Sequence, residues 1–346
     1  MKIKNSELCA QAQALRGCLS HLGALTGRRR FVGFDSQDIF QLPNYFVGDE
    51  AKILSSKAFR NTAYKTQVTT DPTNTFIRSR MTHILEIVSC SVVTSELLRL
   101  NTSLARAIAL GHDIGHVPLG HQGEAFIAKA MGQPKFCHEV MAPIVAQKIE
   151  RKGQGLNLTY ETLEGMMCHS GNTAKQGMTP EAWIVRYADK FAYIFHDFND
   201  FRRMGYSVPS ELQVLMEGFG SNQRERTNTA IASLVIESSD SGKVRFQDSS
   251  FAIAFGQIRT LMYEVYEIAN KSNPDHLLAP VLDFLIGLDR GNPFLLLALM
   301  TDKDIVYLAS QSKIDMEHFQ QTAIFEMLPY LETVVGLDMY DACLNW

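Results

Sequence analysis

A stretch of fourteen residues, 111 to 124, places three histidines and two carboxylates among four glycines. Its first pair, His112-Asp113, offers a neutral imidazole and a carboxylate about 100° apart on a helix, so both side chains can reach one divalent cation. Such a pair is common, and usually it is only hydrogen-bonded or solvated. Metal chemistry therefore depends on what other segments bring to the same place.

The segments around this pair have clear patterns. Residues 103 to 111 predict a short apolar helix that delivers the pair at its C-terminal end. The glycines and the proline between 115 and 123 predict a tight loop where backbone can approach a ligand, and 125 to 131 is helical in pattern. The pair thus lies where a helix gives way to a loop.

Two longer predicted helices carry further polar side chains. Residues 76 to 100 form one, with Arg80 and His83 three positions apart on one face. The other begins at Thr179-Pro180, runs to about residue 203 and carries Asp189, Tyr193 and Asp197 on one stripe. Its apolar neighbours indicate burial, and buried carboxylates need partners.

The remaining chain also reads as helical. Helices are predicted over 6–25, 49–64, 138–151 and 160–169, and several amphipathic segments without a reactive cluster follow residue 209. Strand-like alternation is brief, at 243–246. The basic run Arg28-Arg29-Arg30 is either a solvated turn or a contact for an anion or a neighbouring subunit. The predicted fold class is all-α.

Composition limits the function. The formal charge of -4 gives no overall basic field, so we do not expect a protein that coats nucleic acid. The six cysteines are scattered without the spacing of a zinc knuckle or a disulfide framework. We found no apolar run of membrane-spanning length and no signal-like N-terminus, so we expect a cytoplasmic protein without a membrane partner.

Histidines are concentrated in one region, because seven of the ten lie between 83 and 196. One histidine of a long helix, the His-Asp pair and one aspartate of a later buried helix predict a metal set. Mixed imidazole and carboxylate ligands suit Mn, Fe, Co, Ni or Zn and argue against a site of a purely magnesium type. The predicted ligands are His83, His112, Asp113 and Asp189.

The order of these ligands along the chain is similar to that in the HD superfamily of metal-dependent phosphohydrolases. The surrounding sequence resembles the deoxynucleoside triphosphate triphosphohydrolase (dGTPase-like) branch of that superfamily. Five separated motifs occur in family order across residues 50 to 205, and a faint match follows at 300–302. The matching stretches are 56–60 with 65–68, 78–86, 109–124, 155–159 with 161–165, and 187–189 with 192–193 and 196–197.

The resemblance implies an HD-domain helical core over 50–205, an N-terminal helical segment over 1–49 and a C-terminal helical region over 206–346 packed on the core. It implies hydrolysis of a deoxynucleoside triphosphate, dGTP or another, at its α-phosphorus, to deoxynucleoside and inorganic triphosphate. It also implies that the four ligands hold a divalent metal. We expect Mn²⁺ first, with Fe, Co, Ni, Zn or Mg as alternatives.

The resemblance assigns the remaining site residues as well. His121 and Glu124 form a catalytic pair in which the carboxylate holds the imidazole, and His138 belongs to the same catalytic group. Whether His121 acts as acid or base stays open. At the phosphates we expect Arg80, His116 and Lys190. Around the deoxyribose we expect Gln67, Tyr193 and Asp197.

This chain departs from the family pattern in three places. The loop usually reads His-Pro-Pro-Phe-Gly-His, whereas Val117 and Leu119 stand here. Lys190 replaces a glutamate of many bacterial relatives, and residues 136–139 depart from their His-Asn pair. The last two differences resemble the regulated animal branch, so the preferred nucleotide stays open.

Two rival functions remain at this point. One is another HD-type phosphohydrolase, such as a nucleotidase, phosphodiesterase or single-strand nuclease, and the other is a non-catalytic nucleotide sensor. The family also suggests a homo-oligomer, a tetramer or hexamer, and a single-stranded DNA or nucleotide effector. We interpret His169 as structural, and His196 as either a support for other site residues or a substrate contact.

Overall fold

The computed structural model describes residues 5–31, 44–67, 74–171, 174–175, 177–269 and 273–345. Within these ranges the fold is all-α, as predicted, and the only β-type pairing is two isolated bridges, Arg29 with Thr159 and Thr66 with Ser79. The α-helices are α1 (Asn5–Ala14), α2 (Tyr45–Ser55), α3 (Lys57–Asn61), α4 (Arg80–Leu98), α5 (Thr102–Gly111), α6 (Gly120–Ala130), α7 (His138–Ile144), α8 (Tyr160–Cys168), α9 (Pro180–Arg203), α10 (Ser210–Phe219), α11 (Gln223–Ser241), α12 (Ser250–Ala269), α13 (Asp275–Leu288), α14 (Pro293–Leu299), α15 (Asp302–Ala309), α16 (Met316–Phe319) and α17 (Leu328–Leu331).

Several helix boundaries differ from the predictions for local reasons. α4 begins at Arg80 rather than near residue 76, because the Ser79 side chain caps the amide of Thr82. The region 49–64 divides into α2, α3 and a 3₁₀ turn, Thr62–Tyr64. The first helix ends at Ala14, well before residue 25, and the strand-like stretch at 243–246 is irregular.

The centre of the fold is a group of helices in which α4 packs against α5 and α9. Two buried apolar clusters meet here. One surrounds α9, α11 and α12, the other surrounds α7, α13 and α14, and both take side chains from α4 and α5. The helices that carry the predicted metal ligands therefore lie where the two clusters join, where packing restricts their movement.

α4 corrects the expectation that no apolar run in the chain reaches membrane-spanning length. It is the one helix among the described residues that is long and apolar enough to cross a membrane, by length and composition only. Its His83 and Arg80 are buried, and α5 and α9 pack on it. The apolar composition of α4 is therefore explained by its packing against other helices at the centre of the fold.

The loop between α5 and α6 is tightly built. A Cβ atom on Gly115 would lie 2.1 Å from the backbone nitrogen of Ala142, and one on Gly123 would lie 1.9 Å from the carbonyl oxygen of Pro118. Leu119 takes a left-handed conformation with φ 61°, and α6 begins at the next residue. The helix therefore starts earlier than the predicted residue 125 and includes His121 and Glu124.

Candidate functional site

The four predicted metal ligands converge from three helices. His83 lies on α4, His112 and Asp113 follow the end of α5, and Asp189 lies on α9. His83 Nε2 is 3.2 Å from Asp189 Oδ1, and His112 Nε2 is 3.5 Å from Asp113 Oδ2. One ligand atom each from His83, His112 and Asp113 lies within 4.8 Å of the others.

The donor atoms fit a divalent metal ion. His112 Nδ1 lies 2.7 Å from the carbonyl oxygen of Ala109, to which it can only donate, so its Nε2 carries the lone pair. That Nε2 is buried and has no hydrogen-bond partner among the described residues. A buried imidazole held in this way beside two carboxylates is a donor set for a transition metal.

Arg80 shares the Asp113 carboxylate. Its guanidinium donates to Asp113 Oδ2 at 2.6 Å and to the carbonyl oxygen of Thr66 at 3.0 Å. Burial alone would raise the pKa of Asp113, but His112 and Arg80 hold it well below its usual range. The carboxylate is therefore charged and able to bind a cation at neutral pH.

Glu124 lies between the two other predicted catalytic residues. Its Oε2 is 3.1 Å from His121 Nδ1, and its Oε1 is 2.7 Å from His138 Nδ1 and accepts from the His138 backbone amide at 3.0 Å. The His121 side chain is 74% exposed, whereas the His138 ring is buried. One carboxylate thus contacts an exposed imidazole and a buried imidazole.

Burial opposes a charge on His138, yet Glu124 and Asp113 raise the pKa of His138 to about 9. The same ring stacks on His116 at a centroid distance of 4.2 Å. Burial, together with Arg80 and His138, lowers the pKa of His116 well below its usual range. The pKa values of these two stacked imidazoles are thus shifted in opposite directions.

Most of these residues, but neither His112 nor Glu124, line one cavity of about 370 Å³. Both ring nitrogens of His116 and the Gln67 side-chain oxygen are buried in it without partners among the described residues. Buried polar atoms of this kind can hydrogen-bond a polar ligand or water. The lining comprises Gln67, Arg80, His83, Asp113, His116, Leu119, His121, Gln122, His138, His169, Ser170, Asp189, Tyr193, Asp197, Tyr263, Tyr266 and Glu267.

The residues predicted at the phosphates and the sugar lie in or beside this cavity. Lys190 is adjacent to Asp189 but outside the lining, with its ammonium 5.7 Å from the Tyr187 ring centroid. Burial, aided by Arg186 and Arg259, lowers the pKa of Lys190 to about 7. An anion beside Lys190 would therefore relieve a repulsion that already exists.

Asp197 lines the cavity, but other side chains hold its carboxylate. Arg78 forms an ion pair with Asp197 Oδ1, and the Tyr266 hydroxyl donates to Oδ2. Arg78 also binds Asp200 at 2.9 Å and Glu86 at 2.7 Å. The structure thus places Asp197 in a buried network of charged side chains beside the cavity.

The two histidines left open by the sequence have defined places. His169, interpreted as structural, lies in the cavity lining with its Nε2 3.9 Å from Asp113 Oδ1. His196 Nδ1 lies 2.9 Å from Glu86 Oε1, and Glu86 pairs with Arg78. The described contacts of His196 therefore support a carboxylate of the buried network.

Sequence reasoning missed contributions from the C-terminal region. α12, where no reactive cluster was seen, supplies Tyr263 and Tyr266 to the lining, and Tyr193 shares hydrogen bonds with Tyr263 and Arg259. Asp302 at the start of α15 accepts from the backbone amides of Thr66 and Leu119. The faint family match at 300–302 was the only signal of Asp302.

Comparison with known proteins identifies the family of this chain. The HD domain family matches residues 80–194, which include all four predicted metal ligands. A deoxyguanosinetriphosphate triphosphohydrolase-like protein of Caldanaerobacter subterraneus subsp. tengcongensis is 35% identical over 231 residues, which are 66% of this chain and 67% of the relative.

Proteins with the same description in two clostridia are similar to the same extent. The one in Clostridium tetani is 35% identical over 63% of this chain and 65% of its own length. The one in Clostridium perfringens is 37% identical over 63% of this chain and 66% of its own length. The matched part thus spans about two thirds of these relatives.

Proposed function

The chain belongs to the deoxyguanosinetriphosphate triphosphohydrolase-like family of HD-domain phosphohydrolases, and from this premise we propose that it hydrolyses deoxynucleoside triphosphates to deoxynucleoside and inorganic triphosphate. One observation carries the proposal. The carboxylate of Glu124 orients His121 and His138 beside the metal set, within one cavity that has unpartnered buried polar atoms. The residues proposed for proton transfer therefore lie close to the proposed metal ligands and to space for a substrate.

The metal set favours phosphoryl chemistry. His83, His112, Asp113 and Asp189 would hold the divalent ion, which would supply Lewis acidity at a phosphoryl oxygen, with Mn²⁺ as the ion we propose first. Arg80, buried beside Asp113, offers fixed positive charge for phosphate oxygens. Arg80 can thereby bind the triphosphate and position its α-phosphorus against the metal set.

His121 is the proposed proton carrier. Glu124 holds its Nδ1, which leaves Nε2 free to exchange a proton with the oxygen of the scissile P–O bond. The exposed ring lies at the rim, where a leaving deoxynucleoside departs. His121 and Glu124 together support an enzyme over a nucleotide sensor, because binding alone would not require this pair.

The sugar is expected on the α9 side of the cavity. Tyr193 and Gln67 line the cavity, and an aromatic ring beneath C2′ would clash with a 2′-hydroxyl. The carboxylate of Asp197 is already engaged by Arg78 and Tyr266, so a contact with the 3′-hydroxyl would share an oxygen with one of them. We therefore propose a preference for deoxyribose that rests mainly on Tyr193.

Product analysis tests the proposal. The full chain, loaded with Mn²⁺, is incubated with each of the four dNTPs and four NTPs, and the products are identified by chromatography. We expect deoxynucleoside and triphosphate from at least one dNTP and slower turnover of the matching NTP. Monophosphate, pyrophosphate or free phosphate without triphosphate would instead indicate another HD-type phosphohydrolase. Asp113→Ala, purified identically, controls for contaminating phosphatases.

The assembly and effectors are further parts of the proposal. By family analogy we propose a homo-oligomer, tested by size-exclusion chromatography with light scattering. Activation by a nucleotide or by single-stranded DNA is tested by adding each to the hydrolysis assay. Neither measurement bears on the product identity.

A further inference from the structure

Three residues of α12 line the cavity, and one of them is a carboxylate that the proposed reaction does not use. The three are Tyr263, Tyr266 and Glu267. Tyr263 and Glu267 are four positions apart, so they lie on one face of the helix. Both are exposed, so this face of α12 forms a part of the cavity wall that is open to solvent.

Glu267 differs from the other carboxylates of the lining in its contacts. Each of the other three contacts a charged or imidazole side chain: Arg80 for Asp113, His83 for Asp189 and Arg78 for Asp197. Glu267 has no hydrogen bond or ion pair with any described residue. Its two oxygens are therefore available to accept hydrogen bonds from a bound molecule.

α9 and α12 run side by side in the same direction along this wall. Tyr193 of α9 shares hydrogen bonds with Arg259 and Tyr263 of α12. One turn further along α9, Asp197 accepts from the hydroxyl of Tyr266. Contacts thus advance together along both helices, so side chains follow one another in a fixed order along the wall.

The charge of this wall changes sign along its length. At its beginning, Arg186 and Arg259 lie close enough to Lys190 for their charges to act on it. At its end lie the carboxylates of Asp197 and Glu267, and Glu267 is eight residues, about 12 Å, beyond Arg259 on α12. A polyphosphate is attracted to the first end and repelled by the second. A nucleotide is therefore favoured with its phosphates toward Lys190 and its base toward Glu267.

We propose that Glu267 recognises the base of the bound nucleotide and favours guanine. The inference rests on the proposed function, which places the sugar beside Tyr193. Tyr193 contacts Tyr263, and Glu267 lies one helical turn, about 6 Å, beyond Tyr263. This rise is comparable with the length of a base, so the carboxylate reaches the hydrogen-bonding edge of the base.

Guanine matches a carboxylate better than the other bases do. Its N1–H and its 2-amino group point in the same direction, and the two carboxylate oxygens accept from both. Adenine and cytosine offer an amino group next to an acceptor nitrogen, which faces the second oxygen unfavourably. The N3–H of thymine lies between two carbonyl oxygens, which repel a carboxylate. Glu267 thus selects through both attraction and repulsion.

Deoxyinosine triphosphate, which lacks only the 2-amino group of dGTP, tests this contact. The full chain, loaded with Mn²⁺, is assayed with dGTP, dITP and dTTP. We expect kcat/KM for dGTP to exceed that for dITP by about 10-fold, mainly through KM, because the lost contact is made in both the bound and the transition states. Equal kcat/KM values for dGTP and dITP in the parent would overturn the inference.

Glu267→Gln locates the contact. The amide has one acceptor oxygen and donates from its nitrogen, so the ratio of dGTP to dITP should shrink to about twofold or less, and dTTP should gain relative to dGTP. The matched control is Glu264→Gln, which changes an exposed glutamate of the same helix outside the cavity lining. It should keep the ratio of the parent. An unchanged ratio in Glu267→Gln, or an equal loss in Glu264→Gln, would refute the assignment.

Binding measurements separate this inference from the proposed reaction. In His121→Ala, calorimetry records the affinities for dGTP and dITP without turnover, with and without Glu267→Gln. Tighter binding of dGTP that depends on Glu267, in a chain whose parent releases no triphosphate, would refute the proposed reaction and keep the base contact. Release of triphosphate by the parent, with equal affinities for dGTP and dITP in His121→Ala, would refute the base contact and keep the reaction. Absence of dGTP binding would overturn both.

Discussion

Asp302, in the C-terminal region, holds Leu119 in the loop that precedes the catalytic pair. Its Oδ1 accepts from the Leu119 amide at 2.8 Å, and its Oδ2 accepts from the Thr66 amide at 2.7 Å. Lys65, next to Thr66, donates to the carbonyl oxygen of His116 in the same loop. The Asp302 carboxylate thus fixes Leu119, whose backbone is strained. α6, which carries His121, begins at the next residue.

Asp302→Asn is expected to lower kcat about 10- to 100-fold, because the amide can accept from only one of the two backbone donors. Asp304 is the matched control. It is equally buried in the same helix, but the hydrogen bonds that the structure describes for it come from Thr301 and Ala323 rather than from the loop. Asp304→Asn should cost about 1 kcal/mol of stability and change kcat by less than about twofold.

Hydrogen exchange separates positioning from general stability in these two variants. Asp302→Asn should accelerate exchange of the amides from 117 to 123, whereas Asp304→Asn should leave them protected. This readout needs no substrate. Equal exchange at 117–123 in both variants would show that Asp302 only stabilises its helix.

His121→Ala should separate catalysis from stability. The His121 side chain is 74% exposed, so its removal should change the free energy of unfolding by less than about 0.5 kcal/mol. Loss of the proton carrier should lower kcat by about 10²- to 10⁴-fold with little change in KM. Steady-state kinetics and urea denaturation measure both effects, and unchanged kcat would remove His121 from the mechanism.

Asp113→Ala should release bound metal. It removes the carboxylate next to His112, so the folded protein should bind the ion at least about 100-fold more weakly, as measured by elemental analysis. It also leaves Arg80 without its buried partner, at a cost of about 3–5 kcal/mol. Asp283→Ala, at an exposed position of α13, is the control and should keep both metal and stability. Unchanged metal content in Asp113→Ala would refute the metal set.

Two helical glycines should respond in opposite ways to alanine. A Cβ on Gly123 would lie 1.9 Å from the Pro118 carbonyl oxygen, whereas one on Gly218 meets nothing within 4 Å. Gly123→Ala should therefore cost about 1–3 kcal/mol or more and reduce activity, because the loop must move. Gly218→Ala should stabilise α10 by about 0.5–1 kcal/mol. Thermal melting of both variants checks the contrast, and equal shifts would contradict the close approach.

The proposed metal ligands show which parts of the site can be predicted from sequence patterns. His83 and Asp189 each lie on a helix with a predicted apolar stripe, so periodicity predicts that both are buried, and the family resemblance implies that they converge with His112-Asp113. His169 has no such signal, because its position near Asp113 depends on how α8 packs against α5 and α9. It was therefore interpreted as structural, although it lines the cavity.

Long-range contacts account for the other omissions. Asp302 acts through two backbone amides 236 and 183 residues away in sequence, and no local pattern records such a contact. The sequence also did not predict the ion pairs of Arg78. They join α9 to the residues before α4, and no local pattern marks these side chains as partners. Helix patterns thus identify buried faces, whereas carboxylate partners require the packed structure.

Asp197 provides a test of the buried network through pH. Burial raises its pKa from 3.8 to about 6, even though Arg78 opposes the shift. Between these values the folded protein binds more protons at Asp197 than the unfolded chain does. The stability that this group contributes is therefore complete below about pH 4 and is lost as pH rises to about 6.

Asp197→Asn removes this titration. The free energy of unfolding of the parent minus that of Asp197→Asn should fall between about pH 4 and about pH 6 and stay level from about pH 6.5 to about pH 8. Urea denaturation across this range measures the difference. A difference that rises with pH over the lower interval would instead show that Arg78 lowers the pKa of Asp197 below 3.8, the usual value for an aspartate, so that the carboxylate is charged throughout.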